Sequence, residues 1–274
     1  MAGVELLAAE PDVVPFASRI GTVFEYARYE LTRRRLGTML LGAPSQDVLA
    51  IGPESGLDAL WLAAQGHRVT VVDVDDQQTV RARRRINKWA PKLAERMNLK
   101  SQTLADIAAG DSWPAYGVVL SHQVAMHQKD PADLVYKLNR LVRPGGWLSV
   151  LEPGFYGSVI NLGTQERYGI ADNMERATRV MAASDADGWR FKPRWFIELA
   201  RVVGLPKYDW WGVNTTRHVD ARPVDELTPA HLQAIVNEQD RVGAQNYLRG
   251  AAPFIHLTGR TRGFDYSSIK PPLW

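Results

Sequence analysis

With 274 residues, 45% of them apolar, the chain can bury one large core with an accessory subdomain, whereas two independent full-sized domains would be a tight fit. Lys and Arg number 33 against 30 Asp and Glu, a slight excess spread along the chain rather than a polycationic tail of the kind that grips a phosphate backbone. Cysteine is absent, which excludes a disulfide framework, thiolate zinc ligands and a cysteine nucleophile.

The start lacks a basic stretch and is broken by Pro11 and Pro15, so no signal peptide is expected. No apolar run approaches the roughly 20 residues of a membrane helix. A cytoplasmic protein without membrane attachment is the expectation. Residues 23–41 carry Val23, Tyr26, Ala27, Leu31, Leu36, Met39 and Leu40 close to a helical stripe, with Arg33, Arg34 and Arg35 expected to face elsewhere.

Asp47 to Ile51 is a short apolar run that ends in Gly52, Pro53, Glu54, Ser55 and Gly56. Leu57, Leu60, Trp61, Ala63 and Ala64 then recur at helical spacing up to Gly66, giving strand, turn and helix. Residues 68–72 are β-branched and almost continuously apolar, as in a strand buried on both faces of a parallel sheet, and Asp73 puts a carboxylate at its tip. A basic helix at about 77–90 precedes a weak strand at 100–104, Asp106 and a strand at 117–121 followed by His122 and His127. Asp130, Pro131 and Asp133 open a helix to Leu141; the turn Arg143-Pro144-Gly145-Gly146 leads to a strand from Trp147 to Leu151 that closes on Glu152. Helices are expected at 165–181, 193–203 and 229–242, with a closing strand at 253–258.

Strands alternating with helices require right-handed crossovers and a mostly parallel sheet covered on both faces. Ligands of such sheets bind outside the carboxyl ends of the strands, near the point where strand order reverses. Those ends carry Gly52 to Gly56, Asp73, Asp106 and His122. Glycine lets the backbone turn tightly and a ligand approach, and Asp73 can accept from two ribose hydroxyls, which suits an adenosine.

Residues 25–152 resemble the class I S-adenosylmethionine-dependent methyltransferase family. The motifs are Val48 to Gly56 as the glycine loop, Val71 to Asp75 as the ribose-binding strand end, Leu104 to Ile107 as the adenine loop, and Leu141 to Leu151 as the fifth strand with its preceding turn. The resemblance implies a Rossmann-like α/β fold and S-adenosylmethionine as cofactor. It also implies one domain: a helical cap (1–42), a cofactor-binding core (43–152), a substrate-side insertion after the fifth strand (153–220), and a C-terminal helix and strand (221–274). By position, Gly52 and Gly56 line the methionine part, Asp73 binds ribose, Val74 packs on adenine, and Asp106 with the Ile107 backbone reads the adenine edge. His122 borders the cofactor. Arg28 sits where some relatives hold the methionine carboxylate, or is an ordinary surface arginine.

Two positions depart from the family pattern: Ala50 replaces the usual acidic residue ending the first strand, and Glu54 the usual middle glycine. Glu54 either restores a carboxylate near the cofactor's ammonium or crowds the loop of a non-methylating relative with a degenerate cofactor site.

Methyl transfer is an in-line displacement, so the protein aligns an electron-rich acceptor and, where needed, removes its proton. His127 is the first candidate for that base, with the alternative that it merely caps the helix begun near Asp130. Glu152, Tyr156, Tyr168, His218 and His256 are further candidates. Six histidines without cysteine, with His122 and His127 wrongly spaced for one helical face, imply no metal. The arginines between 81 and 85 suit a solvated helix face more than a nucleic-acid patch. Trp189, Trp195, Trp210 and Trp211 form either a substrate wall or a subdomain core. The expected acceptor is a small molecule. The ending Phe254 to Arg260 faintly resembles bacterial enzymes that esterify a carboxymethoxy group on tRNA wobble uridine, which keeps a tRNA acceptor as the alternative. A nicotinamide oxidoreductase fits less well, because the full G-x-G-x-x-G fingerprint is missing.

Overall fold

The computed structural model describes residues 20–52, 56–73, 76–103, 106, 116–164, 182–185, 188–216 and 220–262. The first helix, α1 (Val23–Met39), starts on a capping box: the Thr22 hydroxyl accepts from the Glu25 backbone N–H, and the Glu25 carboxylate accepts from the Thr22 backbone N–H. Then follow β1 (Asp47–Ile51), α2 (Gly56–Ala64), β2 (Arg68–Asp73), α3 (Asp76–Trp89), α4 (Pro91–Ala94), β3 (Met97–Ser101) and β4 (Tyr116–His122). A 3₁₀ turn (Ala125–His127) leads to α5 (Pro131–Arg140), which Asp130 caps through the Asp133 N–H, with Pro131 in the first turn where a missing N–H costs nothing. The rest comprises β5 (Val142–Pro153), α6 (Phe155–Thr164), a hairpin of β6 (Ala182–Asp185) and β7 (Gly188–Phe191), α7 (Pro193–Val202), β8 (Lys207–Val213), α8 (Pro229–Gly243) and β9 (Phe254–Arg260).

Seven strands form one sheet in the order β3-β2-β1-β4-β5-β9-β8. The first five are parallel, and β9 runs antiparallel between β5 and β8. The period of two in β1 shows how both faces are filled. Val48 and Ala50 enter a core with Leu36 and Met39 of α1 and Leu60 and Leu62 of α2, whereas Leu49 and Ile51 join Leu134 and Leu138 of α5 and Phe196 and Leu199 of α7. The chain order reverses between β1 and β4, which fixes the ligand crevice at their carboxyl ends. No helix among the described residues is long and apolar enough to cross a membrane.

The expected parallel sheet and helices are present, with local differences. The third strand lies three residues upstream of the expected position, at Met97–Ser101. The fifth begins at Val142 and so includes the Pro144-Gly145-Gly146 turn, while α6, the β6–β7 hairpin and β8 were not foreseen. The helix expected at 165–181 falls outside the described residues. Arg33 does not face outward: it is fully buried, because α1 packs against α2, β8 and α8 and has no wide solvent face. Arg34 and Arg35 are half-buried and pair with Asp240 of α8. The tryptophans do not line one wall. Trp195 and Trp210 are core residues, Trp195 stacking on Phe191 at 4.2 Å, while Trp211 lies beneath Arg35, 4.5 Å from its guanidinium.

Candidate cofactor and active site

The crevice is built at the tips of β1, β2 and β4. Gly52 takes φ +83°, a conformation that disfavours side chains, and a Cβ there would lie 2.6 Å from the Val124 side chain, so the loop after β1 packs tightly on the loop after β4. Its N–H donates to the Val72 carbonyl at 3.1 Å. Gly56 opens α2, and no described atom lies within 4 Å of a Cβ placed on it. Asp73 closes β2 half-buried, in register with Ser101 of β3. Asp106 is exposed; its carboxylate accepts from the Thr103 N–H (2.9 Å) and hydroxyl (2.7 Å), and its own N–H donates back to the Thr103 hydroxyl. The Thr103 hydroxyl and N–H hold its carboxyl below the ordinary range. Arg28 is buried on α1 with its guanidinium 4.5 Å above the Tyr29 ring and 5.6 Å from the Phe254 ring, so it is no ordinary surface arginine. Glu54, Val74 and Ile107, and with them Tyr168 and His218, lie outside the described residues.

Burial divides the candidates at the tips of β4, β5 and β9. His122 is buried, with Nδ1 2.9 Å from Asp58 of α2 and Nε2 2.9 Å from the Ser149 hydroxyl of β5. That leaves neither ring nitrogen for a cofactor. His256 is also buried, its Nε2 2.8 Å from the same hydroxyl, and burial followed by the nearby His122 and Arg35 pushes its imidazolium pKa well below the usual range. Glu152 is fully buried and accepts three backbone N–H groups, from Val124 (3.1 Å), Ala125 (2.9 Å) and Met126 (3.1 Å). Burial raises its carboxyl to about 8, with the three donors acting in the opposite direction. It is an anchor for the 3₁₀ turn rather than a base facing a substrate. Sequence reasoning could not find this role, which depends on the folding of a loop 26–28 residues away.

That turn ends in His127, which is exposed. The insertion after β5 reaches it: a Cβ on Gly188 of β7 would lie 2.6 Å from the Met126 carbonyl and 3.5 Å from His127 Nδ1, and Trp189 Nε1 donates to the Gln128 carbonyl at 2.9 Å. Tyr156 is 42% exposed on α6. Among the described residues, no three His, Asp or Glu converge to hold a metal ion.

Residues 49–148 match a family model described as a methyltransferase domain. Over that stretch, which spans less than half of the chain, the sequence is similar to a methyltransferase domain. No curated protein sequence matches the chain significantly. Solved structures share the fold at low identity. The [4+2]-cyclase SpnF has 16% identity and a TM-score of 0.55, over 85% of this chain and 81% of its own. The candidate sarcosine dimethylglycine methyltransferase of Galdieria sulphuraria has 12% identity and a TM-score of 0.52, over 86% of both chains. An S-adenosylmethionine-dependent methyltransferase from Methanosarcina mazei has 13% identity and a TM-score of 0.50, over 79% of this chain and 92% of its own. These likenesses establish the fold, and a cyclase among them shows that fold alone does not fix the reaction.

The sequence resemblance implies S-adenosylmethionine as cofactor, and the described part of the crevice is compatible with it on local chemistry. Gly52 lets the loop after β1 pack against Val124, Gly56 at the start of α2 has no described atom crowding it, and Asp73 puts a carboxylate at the tip of β2. Ala50 is fully buried between β2 and β4, so this position contributes no carboxylate to the methionine end.

Proposed function

We infer that the domain methylates a small-molecule acceptor held between the crevice and the insertion after β5. The supporting observation is the seating of β7 on the His127 turn, which joins the insertion to the mouth of the crevice. Gly52 and Gly56 would flank the methionine part of the cofactor, Asp73 its ribose and Arg28 its carboxylate, and His127 would take a proton from the acceptor. When bound, S-adenosylmethionine supplies an electrophilic methyl group. What the protein adds is alignment: Glu152 fixes residues 124–126, and the turn they form presents an exposed imidazole at its end.

A small acceptor is favoured over RNA by where the basic side chains go. Arg34 and Arg35 pair with Asp240, Arg222 pairs with Asp220, and Arg68 and Arg143 flank Asp47 at the amino end of β1, opposite the crevice. Calorimetric titration with S-adenosylhomocysteine tests the cofactor site. Transfer of labelled methyl from S-adenosylmethionine, offered separately to small-molecule extract and to bulk tRNA, tests the acceptor class. Label in the extract is expected; label confined to tRNA would replace this reading with the tRNA one, and absence of S-adenosylhomocysteine binding would restore the degenerate-site reading.

A further inference from the structure

One internal feature plays no part in the chemistry above. Asp58, His122, Ser149 and His256 come from α2, β4, β5 and β9, each no more than 2% exposed, and their polar atoms form a continuous chain: Asp58 Oδ2 to His122 Nδ1 at 2.9 Å, His122 Nε2 to Ser149 Oγ at 2.9 Å, Ser149 Oγ to His256 Nε2 at 2.8 Å. Four polar side chains in an apolar interior are costly unless paired; the chain of contacts pairs one polar atom each of Asp58 and His256 and leaves Asp58 Oδ1 and His256 Nδ1 without a partner among the described residues. A carboxylate only accepts, so His122 Nδ1 carries a hydrogen donated to Asp58. A buried N–H without an acceptor is costlier than a bare nitrogen, so His256 donates its Nε2–H to the Ser149 hydroxyl, which in turn donates to His122 Nε2. His256 Nδ1, which has no hydrogen-bond partner among the described residues, is then the bare nitrogen of a neutral ring. The low pKa of His256 agrees with neutrality.

The chain ends at the cofactor crevice. Asp58 lies in the first turn of α2, two residues after Gly56, while β9 is the third strand from β1 in the sheet, about 14 Å away at ordinary strand spacing. We propose that Asp58, His122, Ser149 and His256 form one directional brace that fixes the first turn of α2 at the crevice, and that His256 is thereby a remote positioning residue for S-adenosylmethionine. The proposal rests on the cofactor reading of the crevice. Severing the brace anywhere frees the Asp58 end, so its members act on cofactor affinity as one unit although only Asp58 is near the crevice.

The test compares S-adenosylhomocysteine affinity, by titration calorimetry, in wild type, His256→Leu, His256→Gln, Ser149→Ala and the Ser149→Ala/His256→Leu double variant. Each single break is expected to weaken binding about 3- to 30-fold, the size of coupling within one hydrogen-bonded network, and the double variant to be no weaker than the worse single one. His256→Gln, whose amide N–H can still donate to Ser149, should recover most of the loss; a generally loosened core would not be rescued in this way. Nitrogen-15 spectra of the wild-type imidazoles should show His122 protonated on Nδ1 and His256 on Nε2, a readout that stands even if His256→Leu does not fold. Opposite tautomers, additive losses in the double variant, or unchanged affinity in folded variants would each overturn the brace. Wild type without affinity for S-adenosylhomocysteine would refute the cofactor reading and the positioning role together, whereas wild-type binding that the variants leave intact would refute the brace alone.

Discussion

Glu152 brings two opposing effects onto one carboxyl group. Removal from water favours the neutral acid, while the N–H groups of Val124, Ala125 and Met126 favour the anion, and the balance stands at about 8 against an ordinary 4.5. Between those values the folded protein keeps a proton that the unfolded chain has released, so folding stability falls as pH rises, by at most about 1.4 kcal/mol per pH unit and about 5 kcal/mol over the interval. Glu152→Gln removes the titration and keeps the shape. Its carbonyl oxygen can replace Oε1 and keep the Val124 and Ala125 bonds, but its amide then confronts the Met126 N–H donor to donor, a loss of about 1–3 kcal/mol.

Wild type should therefore be the more stable protein below pH 4.5, the advantage should shrink as pH rises, and above pH 8 the glutamine variant should lead by about 2–4 kcal/mol. Denaturant melts of both proteins at pH values from 4 to 9 give this difference directly. A wild-type advantage that grows between pH 4.5 and 8 would refute the reasoning, because it would mean that three N–H donors outweigh burial and that the turn before His127 is held by an anion.

Asp73→Ala should weaken S-adenosylhomocysteine binding by about 1.5–3 kcal/mol, the range for hydrogen bonds to a charged group, with the melting temperature little changed; equal affinity in a folded variant would remove Asp73 from the site. His127→Ala should lower kcat by about 10²–10⁴ while leaving S-adenosylhomocysteine affinity unchanged, and an unaltered kcat would assign His127 to the turn's structure. Glu54→Gly should weaken cofactor binding and Ala50→Asp with Glu54→Gly should restore it, if Glu54 stands in for the carboxylate absent at Ala50. Tighter binding by Glu54→Gly alone would show that the side chain obstructs the loop.

Much of this architecture was legible because local chemistry and tertiary demand coincide. Residues 48–51 are apolar and 69–72 nearly so because both sheet faces are covered, and Asp73 is visible as a strand-tip carboxylate from the chain alone. The β8 strand also carried a signal, since Tyr208 and Trp210 alternate with Asp209 and Trp211 and the first pair enters the core. Its tryptophans, considered for a pocket wall, belong to a strand pairing with β9, a partner more than 40 residues away.

The site was less legible because the residue types do not announce their environments. His122, His127, His256 and Glu152 are equivalent in sequence as proton-transfer candidates, and each follows or lies within a strand near the same end of the sheet. The fold separates them by solvent access. His122 meets Asp58 across 64 residues and His256 meets Ser149 across 107, pairings that require the β4-β5-β9 order and a helix packed over it. Glu152 meets three N–H groups only because the backbone turns sharply at Gln123, which has φ +57°, after leaving β4. Glu152 and His122 are committed to partners inside the protein and His256 is shut away from solvent, whereas His127 is exposed at the end of the turn that Glu152 supports, which is what favours it over them as a base for an acceptor.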